Sequence, residues 1–497
     1  MDDKSLRGSE VHAATGPSLL WPSVIASCLI AAVVYFCVPR SMVDPDIWWH
    51  LRDAQIQLSS HSFIARDLFS FTAAGAPWMN HEWFAELPFY AGFHLFGISG
   101  LYLVTLAAIE VIFLGVLYLT YLHSKSIWAS AFVTVIGIFL STVSFGPRTL
   151  LFGWMLLVLE LLVLVRAQRD ERIVWTLPFL FALWVNTHGS WLIGMVVFGL
   201  FIAANSFTIS LGCIENRALS MPRIKRLVLC WLVSTAALFL NPYGWRLVFY
   251  PFNLAFEQKL NIANIEEWKS LDFHTPRGRI MLFFVALLFL FQLIRSRKWG
   301  LFELALAAMG LYSAFTYSRF LFLGAILVGP LLARSLASTA PAASRRPLSP
   351  LISAALVFVI LCLVIGRLRT PEQSVTKGDD LFPTQGLPYL ATFKPNGKVF
   401  NDMLWGGYLI WYDRQIPVFI DSRVDIFEYN GAFKDYLDII NLRNSIELLN
   451  KHDIQYVLFE RKLPLVYLLK ATHDWKVDYE DKTTVLLERI TPQAPAK

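Results

Sequence analysis

The chain has 497 residues, 56% of them hydrophobic and only 16% charged, with a formal net charge of +6. A soluble domain carries about a quarter charged residues, so an ordinary soluble enzyme and a disordered chain are excluded and a polytopic membrane protein remains.

A short tail with Lys4 and Arg7 precedes the first apolar run, Leu19 to Val38. At about 20 residues this run is a full membrane span rather than a signal-peptide core. No small-residue cleavage site follows it, so it reads as an uncleaved first helix. Further spans are expected at 99–121, 127–145, 149–166, 173–187, 189–212, 227–241, 280–295, 300–316, 319–335 and 350–366, which makes about 11 in all. Alternate connections are rich in Lys and Arg: Arg166, Arg169 and Arg172; Arg217, Arg223, Lys225 and Arg226; Arg295, Arg297 and Lys298; Arg334, Arg345 and Arg346. Short basic loops stay cytoplasmic. The N-terminal tail (1–18) is therefore expected inside and the C-terminal segment (367–497) outside, in the periplasm or extracellular space.

The other set of connections carries DPDIWWH (44–50), NHEW (80–83), FGPR (145–148), NTHGSW (186–191), NPYGW (241–245), IEEW (265–268) and YSR (317–319). Topology places all of these on one face. Trp and Tyr anchor at membrane interfaces, which accounts for the rings. It does not account for His50, His81, Glu82, Arg148, His188, Glu267 and Arg319, because ionisable groups near a membrane are costly and usually functional. These seven are candidate substrate-binding residues.

Within the first external loop (40–98), Asp44-Pro45 reads as a helix start. At about 100° per residue, Asp46, His50, Asp53 and Gln57 share one stripe, and Ile47, Leu51, Ala54 and Leu58 share another. This predicts an amphipathic helix lying at the interface, to about Leu58. A second juxtamembrane helix is expected from His81 to Phe96. Asp46 sits in the first turn, where the helix dipole favours its anion, and faces the same way as His50. It is the candidate catalytic base, with Asp44 second; capping alone is the bland reading of Asp44. His50 and Asp53 can equally stabilise an exposed helix face, and His188 can be a buried structural histidine. A His/Asp/Glu group can hold a divalent metal, but these spacings match no tight metal motif. Arg148 and Arg319 offer the planar fork that suits phosphate, or they snorkel to the interface.

Between the last two spans, 337–350 is a Pro/Ala/Ser-rich linker. Residues 367–497 read as a small α/β domain, with strand-like KVFND, GGYLIWY, PVFID and YVLFE and helix-like 432–449. Gly406 and Gly407 do not form a dinucleotide fingerprint. The five cysteines form no CxxC pair and read as buried structural thiols.

An apolar first helix, an acidic motif opening an external-loop helix, many spans and an external C-terminal domain together resemble the GT-C class of membrane glycosyltransferases. That class includes protein O-mannosyltransferases and lipid A aminoarabinose transferases. The stretches DPDIWWHL, FSFTAAGAPWMNHEW, NTHGSW, NPYGW and GGYLIW…PVFIDSR are similar to a large group of bacterial membrane proteins of that class. The resemblance implies inverting transfer of a sugar from a polyprenyl-phosphate-linked donor to a glycan, lipid or protein acceptor on the outer face. It also implies that a first-loop acid, Asp46 or Asp44, deprotonates or orients the acceptor. A transporter or flippase, or a non-catalytic envelope assembly factor, is the competing reading. The first would require repeated halves and ionisable groups near the bilayer midplane, neither of which is visible.

Overall fold

The computed structural model describes residues 17–39, 44–295, 297–337, 349–366 and 381–490. Lys4, Arg7, Arg345, Arg346 and residues 367–380 lie outside the described residues.

A helix stands at each of the eleven predicted apolar runs. In chain order the first helices are α1 (Pro17–Cys37), α2 (Asp46–Ser60), α3 (Trp83–Phe96), α4 (Ile98–Ser124), α5 (Ile127–Ser141), α6 (Leu150–Ala167), α7 (Leu177–Val185), α8 (Trp191–Asn205), α9 (Met221–Ala237) and α10 (Trp245–Glu257). After Lys259–Asn264 come Pro276–Arg295, Leu301–Thr316, Leu321–Leu323 continuing to Gly329–Ala337 through a π-helical segment Gly324–Val328, and Pro350–Ile365. The chain is a multi-pass membrane protein: six of these segments are long and apolar enough to cross a bilayer. The count of eleven is not reached by length alone. The 9-residue α7 covers about 14 Å at 1.5 Å per residue, under half of a hydrocarbon core of about 30 Å.

The segment after residue 380 is a small α/β unit, as expected. Its sheet runs β3 (Lys398–Asn401), β4 (Ile454–Glu460), β6 (Thr484–Arg489), β5 (Trp475–Glu480) in spatial order, with β3 parallel to β4 and the other pairs antiparallel. A small hairpin of β1 (Ile209–Leu211) and β2 (Ile214–Asn216) lies between α8 and α9. Two strand assignments fail. GGYLIWY belongs to a helix, Met403–Tyr412, and PVFID forms only an isolated bridge from Val418 to Ser70. The reason is the partner. Gly406 and Gly407 let this helix press against neighbouring backbone: a Cβ at Gly407 would come 2.5 Å from the Pro45 carbonyl, and one at Gly406 2.4 Å from the Ile420 carbonyl.

That contact makes the first loop and the C-terminal unit one packed body. Phe71 N donates to Val418 O (3.1 Å) and Val418 N to Phe69 O (3.1 Å). Consequently α2 does not lie at the interface with an exposed polar stripe. Trp48, Trp49, His50, Leu51, Asp53 and Ala54 are all buried. Trp48 packs edge-on against Phe93, Phe382 and Tyr408. These tryptophans fill the joint between domains instead of anchoring in lipid. Among the cysteines only Cys230 is buried, whereas Cys213 and Cys362 are exposed, so the thiol expectation fails for those two.

Candidate functional site

All seven polar-aromatic segments meet at one end of the helix bundle. The Pro45–Asp46 turn opens α2, and Asp44 Oδ1 accepts the Asp46 amide (3.0 Å), so Asp44 does cap. Its other oxygen is held by Arg148 Nε at 2.6 Å. Arg148, in the turn before α6, also donates to Glu267 (2.5 Å). Ser318 Oγ donates to the Glu267 carbonyl (3.2 Å), and Arg319 stacks its guanidinium on Trp268 at 4.3 Å. Trp83 Nε1 donates to Asn186 Oδ1 (3.0 Å), and Tyr243 OH to the Ile64 carbonyl (2.9 Å).

Deeper, Glu82 sits among three imidazoles. His188 Nε2 lies 3.2 Å from Glu82 Oε1, His50 Nε2 3.4 Å from Oε2, and His81 Nε2 3.7 Å from Oε1. Because His188 Nδ1 accepts the Ser190 amide (3.0 Å), its proton sits on Nε2 and is donated to Glu82. His50 Nδ1 meets Glu86 Oε1 at 2.7 Å, and both Glu86 oxygens accept from Asn80. Burial pushes Glu86 up and His50 down, so the pair holds one proton and no net charge. His81 is pushed down to about 4 by burial and is neutral. Its ring stacks on Tyr250, 4.3 Å away, whose hydroxyl reaches Asp425 (3.3 Å).

Asp46, like Asp425, is a partly exposed carboxylate that burial pushes up to about 6, but Asp46 lies beside Arg148 and Arg319 whereas Asp425 takes the Tyr250 hydroxyl. Asp46 keeps a solvent-accessible face, and no arginine holds it directly. Burial of its remainder, and the charge of Asp44, push it up to about 6. The Ser422 hydroxyl hydrogen-bonds its carboxylate. Trp49 Nε1 donates to Ser422 Oγ (3.1 Å). Since that nitrogen can only donate, Ser422 accepts there and gives its own proton to Asp46.

The sequence reading therefore brought together Asp44, Asp46, His50, His81, Glu82, Arg148, His188, Glu267 and Arg319. It missed Glu86, Asn80, Tyr250, Ser422 and Asp425. Glu86 had a signal, an acid one turn after Glu82 in an apolar helix. Ser422 had only its place in the IDSR stretch. Asp53 does not reach the cleft: it is fully buried, and neither of its carboxylate oxygens has a hydrogen-bond partner. Among the described residues no group of three or more His, Cys, Asp or Glu is arranged to hold a metal ion. Asp44 and Glu86 are committed to Arg148 and Asn80.

No family model matches the chain, and no curated protein matches it. Solved structures do. The Archaeoglobus fulgidus oligosaccharyltransferase in its apo form is 13% identical with a TM-score of 0.55, covering 90% of this chain and 70% of that one. The same enzyme tethered with an acceptor peptide containing the NVT sequon gives 12% identity and a TM-score of 0.54, over 89% and 69% of the two chains. ArnT from Cupriavidus metallidurans bound to undecaprenyl phosphate is 15% identical with a TM-score of 0.49, over 97% and 100%. At this identity the likeness to the oligosaccharyltransferase is one of fold: the chain has the GT-C architecture expected from its sequence.

Proposed function

We propose that the cleft transfers a glycosyl group from a polyprenyl-phosphate-linked donor to an acceptor hydroxyl on the outer face of the membrane. The acceptor oxygen attacks the anomeric carbon, the bond from that carbon to the phosphate oxygen breaks, and the lipid phosphate leaves with the electron pair. The acceptor's proton passes to Asp46. The observation that carries this reading is the pairing of a partly exposed carboxylate, pushed up to about 6, with two arginines beside it. A base is most effective when its pKa lies near the operating pH. Arg319 Nε is buried without a hydrogen-bond partner, which leaves a guanidinium donor that a phosphate oxygen would satisfy. Arg148 is charge-balanced by Asp44 and Glu267 and serves as the second cation. The acceptor enters beside Ser422, His81 and Tyr250. The fold shared with an enzyme solved with an acceptor peptide supports a transferase, and the acceptor here is a glycan, lipid or protein hydroxyl.

Native mass spectrometry of the purified protein tests the donor half. A co-purifying polyprenyl-phosphate species should be present and should be lost in Arg319→Ala. A preparation that carries no such lipid, and binds none when polyprenyl phosphate is added, sinks the reading.

A further inference from the structure

We infer that α10 lies flat in the membrane surface on the site's side of the bilayer, with one stripe of rings inserted among the lipids and its opposite face closing the cleft. Nothing in the transfer reaction requires this, and the inference stands apart from it.

At 13 residues, α10 is about 20 Å long and cannot cross a core of about 30 Å. It nevertheless exposes large rings: Trp245 at 62%, Phe249 at 57%, Phe252 at 39% and Phe256 at 74%. At about 100° per residue these positions fall within a stripe roughly 60° wide. Arg246, Asn253 and Glu257 cluster about 100° round from that stripe, where Asn253 hydrogen-bonds Glu257. The third side is protein. Leu247 and Val248 are buried, Pro251 packs on Gly189, and Tyr250 stacks on His81 and reaches Asp425.

A helix with packing, polar and aromatic sides in this order has one environment that satisfies all three: the boundary between headgroups and acyl chains. Lipid is the occupant because the stripe continues a surface that already faces lipid. α9 carries an exposed apolar stripe, with Leu229 at 52% and Leu232 at 53%, and ends at Ala237. Beyond it Phe239 and Leu240 stay exposed, at 48% and 69%, and the turn 241–244 delivers the chain directly to Trp245. Arg246 and Lys259, at the two ends of α10, are exposed, and a helix lying flat at the boundary would bring their charges to the lipid phosphates. Trp and Phe at such a depth are stabilised by interfacial partitioning, and contiguous exposed rings facing water would be an aggregation liability.

The test is depth measurement in nanodiscs of phosphatidylcholine and phosphatidylglycerol. Spin labels are placed at Phe249→Cys, Asn253→Cys and Phe256→Cys in a chain whose five native cysteines are replaced. Collision with oxygen, enriched in lipid, is compared with collision with a water-soluble nickel chelate. The oxygen-to-nickel ratio should be several-fold higher at 249 and 256 than at 253. Equal, nickel-dominated accessibility at all three positions overturns the inference. So does dipolar broadening between labels at 249, because a second copy rather than lipid then covers the stripe. If the cysteine-free chain does not fold, the native protein is photolabelled with a lipid-phase diazirine. The peptide holding Phe249, Phe252 and Phe256 should then be labelled as strongly as the peptide of α9, and an unlabelled α10 peptide overturns the inference.

Discussion

The two halves of α2 meet very different surroundings although both carry acids. Its first turn opens into the cleft with Asp46 partly exposed. Its third turn drives Asp53 into a sealed layer where the C-terminal domain is bolted on. There Arg423 donates to Asp421 (2.7 and 2.9 Å) and Asp67 (2.7 Å), and lies between the rings of Trp78 and Phe69 at 4.7 and 5.0 Å. Three carboxyl groups, from Asp67, Asp421 and Asp53, share that single guanidinium, and the Glu86 carboxyl lies close enough to push Asp53 up further. Burial pushes Asp53 and Glu86 well above the carboxylate range. The lesson is that what an acid in this protein is free to do depends on whether water can reach it, not on its neighbours in sequence.

The largest effect separating the two regions should come from Asp46→Asn. General-base catalysis contributes about 10²–10⁴-fold, so transfer in nanodiscs should fall by that order while donor binding, read by native mass spectrometry, is kept. The isosteric Asp53→Asn should retain turnover; a dead Asp53→Asn with a live Asp46→Asn would reverse the comparison. Asp44→Asn should keep the cap but release Arg148, and should reduce turnover more than a simple cap exchange would.

Next comes Arg423→Met. Removing one partner of a buried ion cluster costs about 3–5 kcal/mol. The melting temperature in detergent should drop sharply, and the first loop should become sensitive to protease. A smaller structural loss is expected for Gly407→Ala, whose new methyl collides with the Pro45 carbonyl. Overpacking costs about 1–3 kcal/mol, and turnover should fall because the collision displaces the turn that carries Asp46.

Acidity distinguishes the regions with opposite signs. The proposed base role needs Asp46 ionised, so the rate should fall as pH drops through about 6. Stability should move the other way. Asp53 and Glu86 hold protons in the folded state that the unfolded chain has released, so folding gains from lower pH down to the ordinary carboxyl range and weakens as pH rises above it. The buried neutral histidines pull the other way as pH falls through about 6.5, so the check is the variant: Asp53→Asn should shift the melting-temperature difference between pH 6 and pH 8 in favour of pH 8.

The smallest effect belongs to Ser422→Ala. Losing a donor to the Asp46 carboxylate disfavours its anion, so the acid limb of the rate profile should move to higher pH and the rate at neutral pH should fall a few-fold. Ser422→Thr should restore both. An unchanged limb in the alanine variant would leave Ser422 with no influence on Asp46.

By itself the sequence determined the membrane class, the places of eleven apolar helices, the α/β unit at the C-terminus and the set of segments that meet in the cleft. Those follow from hydropathy, loop charge and turn chemistry, which are local and survive in one dimension. Only the tertiary structure decided which acid is free. The partners of Asp44 lie 104 residues away at Arg148, and Glu267 is 119 residues beyond that; Ser422 is 373 residues from the tryptophan that fixes it. It also decided that Trp48 and Trp49 are buried between domains, because a tryptophan reads the same in sequence whether a bilayer or a second domain covers it. Ion pairs and domain joints are set by approach in space, and no local periodicity encodes that approach.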